Sequence, residues 1–128
     1  MKWFIPLFGA GLAFGGCDDH LLGVGEYSTL SCVRDPPLTY ENFGRGFLAK
    51  WCTGCHSSLL RPEQRNLAPV GIDFDTWDGV LAWADRIEER GVPDQGGMPP
   101  SGGAGGEDRA LFGEWLHCEV LPATVGGE

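Results

Sequence analysis

The sequence has few basic residues and no long apolar run. Lys and Arg number 9 against 18 Asp and Glu, so the 128-residue chain has a formal net charge of −9 at pH 7. This balance excludes nucleic-acid binding and polybasic attachment to lipid headgroups, because both require clustered positive charge. The sequence also has no strand-like alternation and no internal repeat. We therefore predict one small all-α domain.

The N-terminus is similar to a bacterial export signal. Lys2 precedes an apolar run over residues 3–14, which is too short to cross a bilayer as a stable helix. Two glycines and Cys17 follow, an ending that resembles the lipobox of bacterial lipoproteins, although Phe14 stands where that motif usually has Leu. The resemblance implies a signal peptide over residues 1–16 and a lipid attached to Cys17 after cleavage. An ordinary secretory signal and an uncleaved anchor are the alternatives, and all three export the domain.

Export determines where the domain acts and what it meets. Loss of residues 1–16 removes one Lys and no acidic residue, which changes the net charge from −9 to −10. We expect residues 17–37 to form an extended tether, residues 38–122 to form the domain and residues 123–128 to form a flexible tail. The lipid on Cys17 is then the only expected membrane attachment, on the periplasmic side of a bacterial membrane. A diffusing protein partner is expected to present a basic face.

Apolar residues at helical spacing predict helices in three parts of the domain. The first helix opens with Thr39 as its N-cap and runs directly into Cys52. The second is capped by Asp75 and stops at Gly91. The last begins near Glu107 with acidic residues in its first turn.

The segment over residues 52–56, with the sequence CTGCH, is the most specific motif in the chain. On a helical turn, positions i, i+3 and i+4 share one face, so the thiols of Cys52 and Cys55 and the imidazole of His56 are directed toward one flat ligand. Two thiols at this spacing form thioether bonds with the vinyl groups of haem, and the adjacent His is the proximal iron ligand. We therefore predict one covalently bound haem c.

Three other interpretations of Cys52 and Cys55 compete with haem attachment. A thioredoxin-like redox pair requires a βαβ context, which the sequence lacks. Half of a structural zinc site requires a second CxxC or HxxxH, and none follows. A plain disulfide leaves His56 without a role.

Met98 is the predicted sixth iron ligand. It is the only Met of the mature chain and lies between two glycines and two prolines, in residues 96–100. Glycines allow close approach to the porphyrin, and a residue before Pro is pushed into an extended conformation. The alternative is a Met that fills a gap in a loop. His20 and His117 are the other candidate ligands, and both are expected at the surface.

The stretch from Tyr40 to Cys118 resembles a class I cytochrome c domain. In that family the first and last helices cross, with a Gly and a bulky apolar residue before the CxxCH motif meeting aromatic residues of the last helix. The resemblance implies that role for Gly44 and Phe47 on one side of the crossing and for Trp115 on the other. Leu48 and Leu111 match the same pattern.

The family resemblance also implies further contacts of the haem. A Pro after the motif accepts the proximal imidazole N–H through its carbonyl, and Pro69 is better spaced for this role than Pro62. Trp77 and Trp83 are expected beside the haem, where burial together with Met ligation raises the reduction potential. The sequence departs from mitochondrial relatives in lacking a lysine-rich face, so partner identity does not carry over.

Cys32 and Cys118 remain unassigned by the haem motif. An unassigned pair outside the cytoplasm is expected to be oxidised, and crossing terminal helices bring the two chain ends together. We therefore predict a Cys32–Cys118 disulfide, which contributes about 2 to 4 kcal/mol to stability. Two free thiols are the alternative.

These features predict an electron carrier rather than an enzyme, because a six-coordinate His/Met iron has no open site. The alternatives are a haem-based sensor or ligand-binding module with a labile Met98, and an electron-accepting subunit of a dehydrogenase or oxidase complex. A structural lipoprotein without haem is a further class.

Overall fold

The computed structural model describes residues 31–93, 96–100 and 102–126. Within these residues every regular element is a helix or a helical turn, which confirms the all-α prediction. The predicted signal peptide, Cys17, His20 and most of the tether lie outside the described residues. No helix in the described part of the chain is long and apolar enough to cross a membrane.

The first helical segment begins where the sequence predicts. The Thr39 hydroxyl accepts a hydrogen bond from the Asn42 N–H, and the Asn42 side chain accepts one from the Thr39 N–H, which completes a capping box. A π-helical turn at Tyr40–Gly44 leads into helix α1 at Arg45–Trp51. The chain therefore enters α1 with its first orphan donors satisfied.

The second predicted helix differs from the structure at both its start and its middle. Thr76, not Asp75, is the N-cap of α2, because its hydroxyl accepts from the Gly79 N–H. Helix α2 spans Trp77–Ala82 and α3 spans Ala84–Gly91. Trp83 separates them with φ −122° and ψ 14°, which is outside the α-helical region. The predicted single helix is therefore two short helices.

The last helical segment continues beyond residue 122, the predicted end of the domain. Helix α4 at Gly106–Trp115 continues through a π-helical segment at Leu116–Val120 into α5 at Leu121–Val125. Residues 123–125, which we expected to belong to a flexible tail, are helical. Helices α2 and α3 both contact α5, so the extension belongs to the packed domain.

The first and last helical segments pack against each other as predicted. Phe47 stacks on Phe112 with ring centroids 4.0 Å apart and planes 11° apart. A β-carbon on Gly44 would overlap the indole of Trp115, so only glycine allows this approach. Trp115 has no exposed surface and lies at the centre of the core. The other residues below 2% exposure are Arg65, Phe112, Leu48, Leu116, Val80 and Val120.

The predicted disulfide between Cys32 and Cys118 is present. It joins the segment before the first helix to the π-helical part of the last. The Arg34 guanidinium donates two hydrogen bonds to the Glu114 carboxylate beside it, at 2.6 and 2.8 Å. This pair lowers the pKa of Glu114, chiefly through the hydrogen bond from Arg34.

Candidate cofactor-binding site

The CxxCH segment forms a tight turn at the end of α1. The Cys52 N–H donates to the Leu48 carbonyl at 2.8 Å, which completes the helix. The Cys52 carbonyl then accepts from the N–H groups of Cys55 at 3.1 Å and His56 at 2.9 Å. Both thiols are half-buried and are not joined in a disulfide. The turn therefore brings two thiols and an imidazole together within five residues of chain.

Burial dominates the chemistry of the Cys52 thiol. It raises the pKa of Cys52 to about 12, with a smaller upward contribution from Cys55 and an opposing one from the positive charge of Arg109. The haem-free Cys52 is therefore a neutral thiol at neutral pH.

The imidazole of His56 is fixed by one hydrogen bond and one ring contact. Its Nδ1 lies 3.0 Å from the Ile72 carbonyl oxygen, and a carbonyl only accepts, so Nδ1 carries the proton. Phe74 stacks on the ring with centroids 4.7 Å apart and planes 20° apart. No residue in the described ranges forms a hydrogen bond to Nε2. The ring therefore presents Nε2 as a lone-pair donor.

The carbonyl that accepts from His56 belongs to Ile72, so the prediction of Pro69 for this role is wrong, as is Pro62. The Pro69 carbonyl accepts instead from Arg65 Nη2 at 2.8 Å. Pro62 begins a 3₁₀ turn at Pro62–Gln64. A backbone acceptor has no sequence signature of its own, which is why the spacing of prolines pointed to the wrong residue.

Arg65 is buried at the centre of the loop over residues 57–76, which we call the proximal loop. Its residual exposure is 1%, and its guanidinium forms an ion pair with Asp73 at 2.6 Å. Five acceptors surround this one side chain, so they gather the loop around it. They are the carbonyls of Ser57, Ala68, Pro69 and Ile72 and the Asp73 carboxylate.

Met98 is held through its main chain. Its N–H donates to the Arg90 carbonyl at 3.1 Å, and its carbonyl accepts from Arg109 at 3.0 Å. The side chain is 36% exposed. Arg109 is itself 5% exposed and also donates to the carbonyls of Gly91 at 2.6 Å and Ala104 at 3.0 Å.

The Met98 loop lies against the motif. We call the described residues of the stretch 92–105 the distal loop. A β-carbon on Gly103 of this loop would overlap the indole of Trp51, the residue before Cys52. This contact places Gly103 of the distal loop beside the last residue of α1, directly before the motif.

The other predicted haem contacts are spread more widely. Trp77 pairs with Tyr40, with ring centroids 5.5 Å apart. Trp83 lines a cavity shared with Thr124 of α5. His117 is half-buried in the last helical segment. The aromatic ring that the structure places on His56 is that of Phe74.

The donor set consists of two thiols, one imidazole nitrogen and one thioether. Among the described residues, no cluster of three or more His, Cys, Asp or Glu is arranged to hold a metal ion by itself. A haem iron takes only its axial ligands from the protein, whereas a metal site built from side chains alone takes three or more. Comparison with protein-family models, curated proteins and solved structures finds no match to this chain.

Proposed function

We propose that this protein is a membrane-tethered periplasmic c-type cytochrome that carries single electrons on one covalent haem. The observation that carries the proposal is the state of His56. Its Nδ1 is committed to the Ile72 carbonyl, and the Cys52 and Cys55 thiols that precede it in the motif are not joined in a disulfide. This is the arrangement required of a proximal ligand whose tautomer is fixed by a backbone acceptor.

Four side chains would hold the group. The thiols of Cys52 and Cys55 would form the thioether bonds, and His56 and Met98 would bind the iron. Haem c supplies one-electron chemistry by alternating between ferric and ferrous iron.

The residues around His56 limit the rotation of its ring and strengthen Nε2 as an electron-pair donor. The Ile72 carbonyl holds the Nδ1 proton and so makes Nε2 a stronger donor. Phe74 stacks on the ring and limits its rotation. With Met98 as the second axial ligand no open site is left, so we propose an electron carrier and not an enzyme.

The packing of the helices supports a class I cytochrome c fold for the domain. The contact of Gly44 with Trp115 and the stack of Phe47 on Phe112 occur where that family places its helix crossing. The proposed acylation of Cys17 tethers the domain to the periplasmic face of a membrane. The acidic net charge favours a redox partner with a basic face.

The test is the absorption spectrum of protein matured in a bacterial periplasm. We expect wild type to be coloured and to keep its pigment in acidified acetone, because thioether bonds survive acid. Cys52→Ala with Cys55→Ala should lose the covalent pigment. Cys32→Ala with Cys118→Ala is the matched control, because it removes the other cysteine pair and should retain the pigment. Colourless wild-type protein, or pigment released by acid acetone, contradicts the proposal.

Met98→Ala tests the second axial ligand. We expect this variant to keep its covalent haem and to lose the weak absorption band near the red edge of the oxidised spectrum. Retention of that band would contradict ligation by Met98.

The 36% exposure of Met98 favours a second candidate function, a haem-based sensor in which this ligand is labile. Carbon monoxide distinguishes the two functions. An immediate change in the reduced wild-type spectrum supports a sensor, whereas an unchanged spectrum supports electron transfer.

A further inference from the structure

The Ile72 carbonyl oxygen accepts two side-chain hydrogen bonds. One comes from His56 Nδ1 at 3.0 Å, and the other comes from Arg65 Nη2 at 3.0 Å. The two donors therefore share one acceptor. Polarisation of this oxygen by Arg65 therefore changes the strength of the hydrogen bond that the oxygen accepts from His56 Nδ1.

Arg65 is a cation in a dry environment. At 1% exposure its charge is little screened by solvent, so its influence on nearby groups exceeds that of a surface arginine. Asp73 opposes this influence, because its carboxylate lies 2.6 Å from the same Nη2 and retains 24% side-chain exposure. The buried cation and its half-buried partner are thus adjacent to the acceptor of the imidazole.

We propose that Arg65 is a positioning residue that weakens the donor strength of His56 through the shared Ile72 carbonyl and thereby raises the reduction potential of the site. The inference rests on the proposed haem function. A carbonyl polarised by a guanidinium accepts less strongly from Nδ1, so the imidazole gains less imidazolate character. A weaker axial donor and a nearby positive charge both favour the less positively charged ferrous state.

Asp73 has the opposite effect on the reduction potential, and it also acts through the Ile72 carbonyl. Its negative charge reduces the polarisation that Arg65 imposes on the Ile72 carbonyl. Arg65 and Asp73 are therefore expected to shift the reduction potential in opposite directions. A purely structural role predicts no such opposition, since loss of either partner would loosen the same loop.

The experiment measures reduction potentials of the periplasm-matured, haem-loaded variants. Arg65→Gln should lower the potential, and Asp73→Asn should raise it. Arg65→Lys keeps the charge and should lie between wild type and Arg65→Gln. Arg86→Gln is the control, because Arg86 pairs with Glu89 on the exposed face of α3 and its removal should leave the potential nearly unchanged.

A second readout follows the hydrogen bond itself. In the reduced, diamagnetic protein the Nδ1 proton of His56 should move to higher chemical shift in Arg65→Gln, because the carbonyl then has one donor instead of two. Asp73→Asn should move it the other way. Neither shift depends on electron-transfer activity.

The outcomes separate this inference from the function on which it rests. Wild-type protein without covalent haem overturns both. Haem-loaded protein in which Arg65→Gln and Asp73→Asn shift the potential in the same direction, or not at all, overturns the role of Arg65 and leaves the cytochrome function standing. If Arg65→Gln does not mature, Asp73→Asn decides, and a potential at or below wild type rejects the inference.

Discussion

The proximal and distal loops are each organised by one buried arginine, yet they hold their candidate ligands differently. Arg65 shares the carbonyl that binds the side chain of His56, and Phe74 fixes the ring from its face. Arg109 binds the carbonyl of Met98, a residue that remains 36% exposed. The proximal loop thus positions a side chain, whereas the distal loop positions a stretch of backbone.

This difference has a consequence for the two ligands. A ring held at Nδ1 and at its face has little rotational freedom, so its geometry is set before any cofactor is attached. A flexible thioether on a fixed backbone retains its rotamers and loses them only on ligation. We therefore expect the position of the His56 ring to be set before a cofactor binds and that of the Met98 side chain to be set only on binding.

Replacing each arginine in turn should give the largest effects and should separate the two loops. Arg65→Gln and Arg109→Gln should each lower the free energy of unfolding by about 3 kcal/mol, because several buried carbonyls lose a charged donor. Urea unfolding with the disulfide intact measures the loss.

The two variants should differ in which ligand they disturb. Arg109→Gln should weaken the Met98 band near the red edge and leave the Nδ1 proton of His56 in place, whereas Arg65→Gln should move that proton and retain the band. Equal disturbance of both signals by both variants would show that the loops act as one unit.

Substitution of Gly103 tests the contact between the distal loop and the motif helix. Gly103→Ala should lower the free energy of unfolding by about 1 to 3 kcal/mol, since its β-carbon would overlap the Trp51 ring. Gly106→Ala, at the first residue of α4, is the control, because a β-carbon there meets open space. Its effect should stay within about 0.5 kcal/mol. Equal effects of the two changes in thermal unfolding would place Trp51 elsewhere.

Protonation of Asp75 at low pH should destabilise the proximal loop. This effect should be smaller than those of the arginine and Gly103 substitutions. Burial acts to raise the pKa of Asp75, but hydrogen bonds from Ser57 and Ser58 outweigh it and leave the pKa below its usual value. A lowered folded-state pKa means that the carboxylate stabilises the fold above the unfolded pKa of about 3.9 and loses that contribution as pH falls through the folded pKa.

Asp75→Asn should therefore be less stable than wild type at pH 7, and the gap in stability should narrow as pH falls below about 4 and through the lowered folded-state pKa. Chemical denaturation at several pH values gives the comparison. Parallel stability curves for the two proteins would exclude this role.

Structural features that depend on residues close together in the sequence could be predicted. Those that depend on backbone carbonyls far along the chain could not. The Thr39 cap and the CxxCH turn depend on side chains within a few positions of one another. Arginine is mostly found at protein surfaces, so no sequence pattern indicates that Arg65 and Arg109 are buried. Their burial depends on carbonyls that only the folded loops bring together.

The two incorrect predictions for the second helix, its N-cap and its continuity, likewise concern features that the local sequence does not determine. Asp75 and Thr76 are both good N-caps, and the choice depends on the Asp75 carboxylate, which accepts from the Ser58 N–H across the proximal loop. The break at Trp83 separates α2 and α3, although the apolar spacing continues through it. Periodicity reports which residues face the core and does not detect a change of backbone direction.

The disulfide determines how mechanical force would travel through the domain. A pull on the chain before Cys32 crosses the sulfur bridge to Cys118 and enters the last helical segment. The ion pair of Arg34 with Glu114 adds a second point of attachment to that segment. Load applied at the N-terminal side thus enters a helical segment that is anchored in the core by Trp115, Leu116 and Val120, and the turn that carries Cys52 and His56 is not part of this connection.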